Sequence, residues 1–156
     1  MAIDKNLVNP FVVSAIEIVQ ELEGEKPARG ELSLKNDSIQ TQGVATVIGI
    51  TGKIEGRLIL DISKDTACKL AEFILKENFA EFNELVESAM GEMANLITGR
   101  AVSILNEIGY SIKITPPTLF SGNDLKVSDR KLEMLVIPLD CKSGKLLINV
   151  ALKIAN

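Results

Sequence analysis

Glu92 and Asn95 are the pair in this chain whose types and spacing could do chemistry. They stand three residues apart inside SAMGEMANLITG, residues 88–99. The apolar positions around them, Val86, Met90, Met93, Ile97, Ala101, Ile104 and Ile108, recur at helical spacing and predict the buried face of one long helix. Side chains three apart on a helix are neighbours, so the opposite face presents a carboxylate beside a carboxamide. Ser88 and Gly99 continue that stripe by one turn to either side, and Gly91 adds a second small residue beside it. A carboxylate can hold a cationic group, and a carboxamide can donate and accept hydrogen bonds. Turned outward rather than gathered in a pocket, the two would act on another protein lying against the helix. An acid and an amide on an exposed face are ordinarily solvated surface. What argues for contact is the company they keep. Gly91 and Gly99 each cost roughly 1 kcal/mol against Ala inside a helix, and Asn is a mediocre helix former.

The elements that must position this face follow from patterning. A first helix is predicted over 10–23, with Val12, Ala15, Ile16, Val19 and Leu22 inward and Gly24 at its stop. Strands are predicted over 30–35, 43–49 and 56–62, the last two joined by a turn at Thr51-Gly52-Lys53. Ser63 or Asp65 can cap a second helix reaching about 76 or 77, with Ala67, Leu70, Ala71 and Ile74 inward. The long helix then runs over 84–107 and stops at Gly109. Strands over 110–115, 132–138 and 145–154 complete the chain, the last two joined by a turn at Lys142-Ser143-Gly144. Between the first two of these, Pro116-Pro117 forces an extended turn. Helix, three strands, two helices, three strands is an α+β order. It predicts an antiparallel sheet covered by helices, with a helix-plus-three-strands pseudo-repeat. Glu17 and Gln20 in the first helix echo the spacing of Glu92 and Asn95 without local identity, which reads as coincidence rather than a relic second site.

Composition bounds the function. The 156 residues are 46% hydrophobic and 24% charged, and are read as one domain over 1–156. Apolar runs end well short of a membrane span, and the N-terminus lacks a signal-peptide pattern, so a cytoplasmic protein without membrane attachment is expected. Seventeen scattered basic residues and a net charge of −4 argue against nucleic-acid binding. The chain has no histidine, which removes Ser-His and Cys-His nucleophiles and the usual zinc sites. Cys68 reads as a small buried hydrophobe, and Cys141 lies too far off in sequence to suggest a disulfide framework. No metal site is expected. Gly49-Ile50-Thr51-Gly52-Lys53 imitates the tail of a phosphate loop, but Val47 and Ile54 stand where Gly and Ser or Thr are needed, and a strand follows instead of a helix. Asp124, Asp129 and Asp140 miss calcium-loop spacing. Glu21, Glu23 and Glu25 read as a solvated helix end. Asn36-Asp37-Ser38 matches a glycosylation acceptor that has no meaning without secretion.

Three segments in order, ATVIGITGKIEGRLIL at 45–60, ESAMGEMANLITGRAVSILNEIGY at 87–110 and ITPPTLFSGNDLKV at 114–127, resemble the CheX family of chemotaxis phosphatases, relatives of CheC and FliY. The family pattern is an Asp or Ser, a Glu four later, an Asn three after that, and a downstream Pro. Here it falls on Ser88, Glu92, Asn95 and Pro117 or Pro116, the prolines coming slightly early. The resemblance implies a CheC/CheX-like fold and a phosphatase acting on the aspartyl phosphate of a CheY-type response regulator. Asn95 would orient the attacking water, and Glu92 would anchor the regulator's active-site lysine. Ser88, Gly91 and Gly99 would be contact residues, and Pro116 and Pro117 would shape the strand exit. The regulator itself would supply Mg2+, and pairing of sheet edges would make a homodimer. The residues leave two other readings open. One is a module that binds a phosphorylated regulator without hydrolysing it; the other is a structural dimeric domain.

Overall fold

The computed structural model describes residues 4–36, 38–128 and 133–155. Asp37, Asp129 and Leu132, named above, lie outside the described residues. Helix α1 spans Lys5–Glu23 and so begins five residues before the predicted start. Asp4 caps it by accepting from the Asn6 N–H at 2.9 Å, and Pro10 lies inside the helix rather than at its head. Pro10 leaves one early carbonyl without its usual donor. The cost is met because the added turn buries Leu7 and Val8 next to Phe11. Gly24 ends the helix at φ +75°, as expected of a glycine stop.

Strands β1 (Ala28–Arg29), β2 (Ser33–Lys35), β3 (Ser38–Gln40), β4 (Val44–Gly52) and β5 (Ile54–Ile62) come next. Helices α2 (Lys64–Leu75) and α3 (Glu84–Glu107) follow. The chain then adds β6 (Ile112–Ile114), β7 (Thr118–Ser121), β8 (Lys126–Ser128), β9 (Met134–Cys141) and β10 (Gly144–Ile154). Ser63 caps α2 by accepting from Thr66 N–H at 3.1 Å. All strand pairings are antiparallel. The main sheet runs β1-β9-β10-β5-β4-β6, with β2 further along β9 and β7 further along β4; β3 and β8 form a separate ribbon. Each half of the chain thus lays its short edge strands on the other half: β1 and β2 pair with β9, and β6 and β7 pair with β4.

Helices cover one face of the sheet. Val44, Ile48 and Ile50 of β4, Leu58, Leu60 and Ile62 of β5, and Ile148, Val150 and Leu152 of β10 meet Phe11, Val19, Leu70, Met90, Met93, Ile97 and Leu105. On the other face Ala45, Ile59, Val136 and Ala151 pack with Ile39 of the ribbon. Burial on both faces explains why β4, β5 and β10 read as nearly continuous apolar runs.

Four expectations need correction. The strand expected over 30–35 is two pieces, β1 and β2. Gly30 sits between them against Pro138 of β9, which offers its carbonyl (Gly30 N–H to Pro138 O, 2.9 Å) but has no N–H to return. The strand expected over 110–115 is shorter, β6 at Ile112–Ile114, and beyond the expected turn at Pro116-Pro117 a further edge strand, β7, follows that was not expected. The buried stripe of α3 drifts to Val102 and Leu105; Ile104 is half-buried, and Ile108, beyond the last helical turn, is 68% exposed. Finally, Glu23 is not solvated. It is 4% exposed and accepts from the N–H groups of Lys142 and Ser143, both at 3.0 Å, and from the Ser143 hydroxyl, so it closes the β9–β10 turn from across the fold. The glycine at Thr51-Gly52-Lys53 has φ +111°, and β5 follows directly, so that segment is a hairpin turn and no phosphate loop.

Candidate active site

The site is built on the first half of α3. Asn83 starts the helix by accepting from Leu85 and Val86 N–H at 3.0 and 3.1 Å. Glu84 and Glu87 then lie in the first turn, where the helix dipole favours negative charge. Val86, Ala89, Met90, Met93, Ala94 and Ile97 anchor the inner face to the sheet. That anchoring turns Ser88 and Glu92 fully outward and leaves Asn95 half-buried beside them.

A shallow hollow of about 350 Å³ lies between this face and the edge of the sheet. Thr46, Glu87, Ser88, Gly91, Glu92, Asn95, Pro117 and Leu119 line it. Five of the residues singled out in the sequence are therefore brought together: Ser88, Gly91, Glu92, Asn95 and Pro117. Gly99 and Pro116 are outside the hollow.

The sheet edge reaches the helix through a local break. Thr115 donates its N–H to Gly49 O at 3.0 Å, and its hydroxyl oxygen accepts from Gly49 N–H at 2.8 Å. The prolines then interrupt the ladder, since neither has an N–H to donate, and pairing resumes at Thr118 opposite Val47. This step swings Pro117 over α3. A Cβ added at Gly91 would sit 3.4 Å from Pro117 Cγ, at ordinary contact distance, so the proline closes one side of the hollow directly beside this helix position. Gly91 thus lines the cavity in addition to presenting bare helix. Gly99 has open space around it.

Among the described residues, none engages the Glu92 carboxylate or the Asn95 carboxamide in a hydrogen bond or ion pair. Glu87 and Glu92 make the hollow electronegative, which suits an incoming ammonium group. Asn95 offers a donor and an acceptor at its rim. Among the described residues no group of three or more His, Cys, Asp or Glu side chains converges as a metal site, and no helix is long and apolar enough to cross a membrane.

A second hollow lies between α1 and the β2–β9 edge of the sheet, lined by Lys5, Asn9, Val12, Leu32, Leu34 and Leu135 among others. Glu17 and Gln20 do not line it. Glu17 instead lies close enough to Arg100 to help stabilise its charge, behind the Arg100–Glu21 ion pair of 2.7 Å. Thr46, Glu87 and Leu119 escaped the sequence reading. Thr46 does leave a trace, as the polar member of the alternating series Val44, Thr46, Ile48, Ile50. Leu119 leaves none, because only the pairing of β7 with β4 brings it there.

An antiparallel sheet with helices packed on one face, the longest of them turning Glu92 outward beside a shallow hollow, defines an α+β protein whose candidate site is a helix face at the sheet edge. A CheC-like superfamily protein from Shewanella sp. PV-4 has the same fold, with a TM-score of 0.87 over 97% of this chain and 99% of that one, at 22% identity. The family described as chemotaxis phosphatase CheX matches residues 44–140. The CheY-P phosphatase CheX of Thermotoga maritima is 36% identical over 125 residues, which is 80% of this chain and 81% of that protein. The chain belongs to the CheX chemotaxis phosphatase family. A solved complex of CheX with CheY, BeF3 and Mg2+ from Borrelia burgdorferi is also similar, with a TM-score of 0.82, 27% identity, and coverage of 97% of this chain and 99% of that one.

Proposed function

We propose that this protein is a cytoplasmic phosphatase that dephosphorylates a CheY-type response regulator in chemotaxis signalling, with Glu92 and Asn95 as its working residues. The observation that carries the reading is the pair itself: an acid and an amide, one exposed and one half-buried, unengaged by other described residues, on one face of α3 beside an electronegative hollow. Membership of the CheX family supports the activity, and the Thermotoga relative is named for it.

The chemistry asks little of the phosphatase beyond placement. A water oxygen attacks phosphorus in line with the aspartyl oxygen. The P–O bond to the carboxylate breaks, inorganic phosphate leaves, and the water's protons pass to phosphate and solvent. Such transfers are accelerated mainly by positioning and charge stabilisation. Asn95 orients the water by hydrogen bonding. It is no general base, because a carboxamide has negligible proton affinity near neutrality. Glu92, helped by the charge of Glu87, holds the regulator's active-site lysine. Ser88, Gly91 and Gly99 let the regulator lie close to the helix, and Pro117 limits the hollow on the sheet side. Mg2+ arrives with the regulator. Two copies of the chain pair through their sheet edges, where β2 or β7 offers unpaired backbone groups.

The test is the decay of the phosphorylated regulator with a small amount of protein added. Wild type accelerates it, Asn95→Ala does not, and Glu92→Ala weakens binding. Equal acceleration by wild type and Asn95→Ala refutes the mechanism. Binding without acceleration by wild type refutes the phosphatase reading.

A further inference from the structure

We propose that Thr46 is a positioning residue for Asn95, an inference that rests on the phosphatase reading above. Thr46 belongs to β4, where Val44, Ile48 and Ile50 face the helices and Ala45 faces the ribbon, so by strand alternation Thr46 lies on the helix side, beneath α3. It is 1% exposed, and its hydroxyl oxygen is buried without a hydrogen-bond partner among the described residues. It nevertheless lines the hollow beside Glu92 and Asn95, with Leu119 opposite it in register.

Packing alone does not call for a hydroxyl here. Valine has the same branched shape without a buried polar group left unpaired, which is a real cost to the fold. Among the described residues two other buried hydroxyls lack partners, on Ser14 and Thr98, but both are on helices and neither lines the hollow. Thr46 is the unpaired hydroxyl placed where a reacting water is handled.

The hydroxyl oxygen accepts from the Asn95 amide N–H, directly or through one water held in the hollow. This leaves the carboxamide oxygen turned outward, where it accepts a hydrogen bond from the attacking water. The bond is unmade in the free protein and forms when the docked regulator covers the hollow. Catalytic hydrogen bonds commonly tighten only in the complex. Thr46 itself touches neither the regulator nor phosphorus.

The experiment measures kcat and KM for decay of the phosphorylated regulator with wild type, Thr46→Val and Thr46→Ser, and thermal stability for each. Thr46→Ala serves as a second hydroxyl-free variant should the valine not be accommodated. Removing the hydroxyl is expected to lower kcat by about tenfold, the size of one positioning hydrogen bond, with KM essentially unchanged. Serine restores most of kcat, and valine is as stable as wild type or more so. An unchanged kcat in the hydroxyl-free variants overturns the assignment, as does a loss that follows stability or that serine fails to rescue. If wild type itself does not speed the decay, the phosphatase reading falls and this assignment with it. Wild-type acceleration with full activity in Thr46→Val overturns the assignment alone.

Discussion

Asp61→Asn should make the protein more stable at neutral pH and progressively less so towards acid. Asp61 lies on β5, on the face turned from the helices, and is fully buried. One carboxylate oxygen accepts from Gln42 N–H at 2.7 Å, and the other is buried without a partner among the described residues. Burial pushes its pKa up from 3.8 to about 6, against the pull of the Gln42 hydrogen bond. The folded state therefore holds the proton more tightly than the unfolded chain. Wild-type stability is unpenalised below the unfolded value, falls as pH rises from 3.8 towards 6, and stays reduced above that. The full penalty is about 3 kcal/mol, of which about 1 kcal/mol is already present near pH 4.5. Asparagine keeps the acceptor for Gln42 and cannot ionise. Any cost of its own amide is the same at both pH values. Urea unfolding of both proteins near pH 4.5 and near pH 8 should therefore give mutant-minus-wild-type stabilities differing by about 2 kcal/mol, in favour of the mutant at the higher pH. Equal differences at the two pH values would refute the argument that burial raises the pKa of Asp61.

Gly99→Ala should stabilise the protein by up to about 1 kcal/mol, since a Cβ there meets nothing and alanine is the better helix former; scanning calorimetry reads this as a rise of a few degrees in Tm. If Gly99 also touches the regulator, the same variant loses affinity while it gains stability. Gly91→Ala should gain the same helix propensity, with its Cβ in ordinary contact with Pro117, but it adds a methyl to the hollow and to the face the regulator lies against, so dephosphorylation falls without loss of fold; full activity would remove Gly91 from the working geometry. Glu23→Ala should cost roughly 2–4 kcal/mol in urea unfolding, because it strands the buried N–H of Ser143 and the Ser143 hydroxyl. Arg100→Ala should cost under about 1 kcal/mol by the same measurement, since its ion pair with Glu21 is largely in solvent.

Local sequence determined the elements that rest on local physics. Periodicity places Glu92 and Asn95 on the outward face of α3, because burying Met90, Met93 and Ile97 leaves them no other direction. The stops at Gly24 and Gly109, the cap at Ser63 and both hairpin turns were legible for the same reason, since each is specified within a few residues. The start of α1 was not, because Pro10 looks like a beginning until the burial of Leu7 and Val8 is known. Tertiary structure decided the rest. Whether Glu23 is solvated depends on a turn 119 residues away. The split between β1 and β2 depends on a proline in the strand they pair with, and the exchange of edges between the two halves has no local signature. The hollow itself belongs to this second class. Its helix wall could be read from spacing, but Thr46, Leu119 and the approach of Pro117 to Gly91 exist only because β7 folds back along β4 beside α3. A 3.6-residue period reports which way a side chain points, and only the packed sheet reports what it points beside.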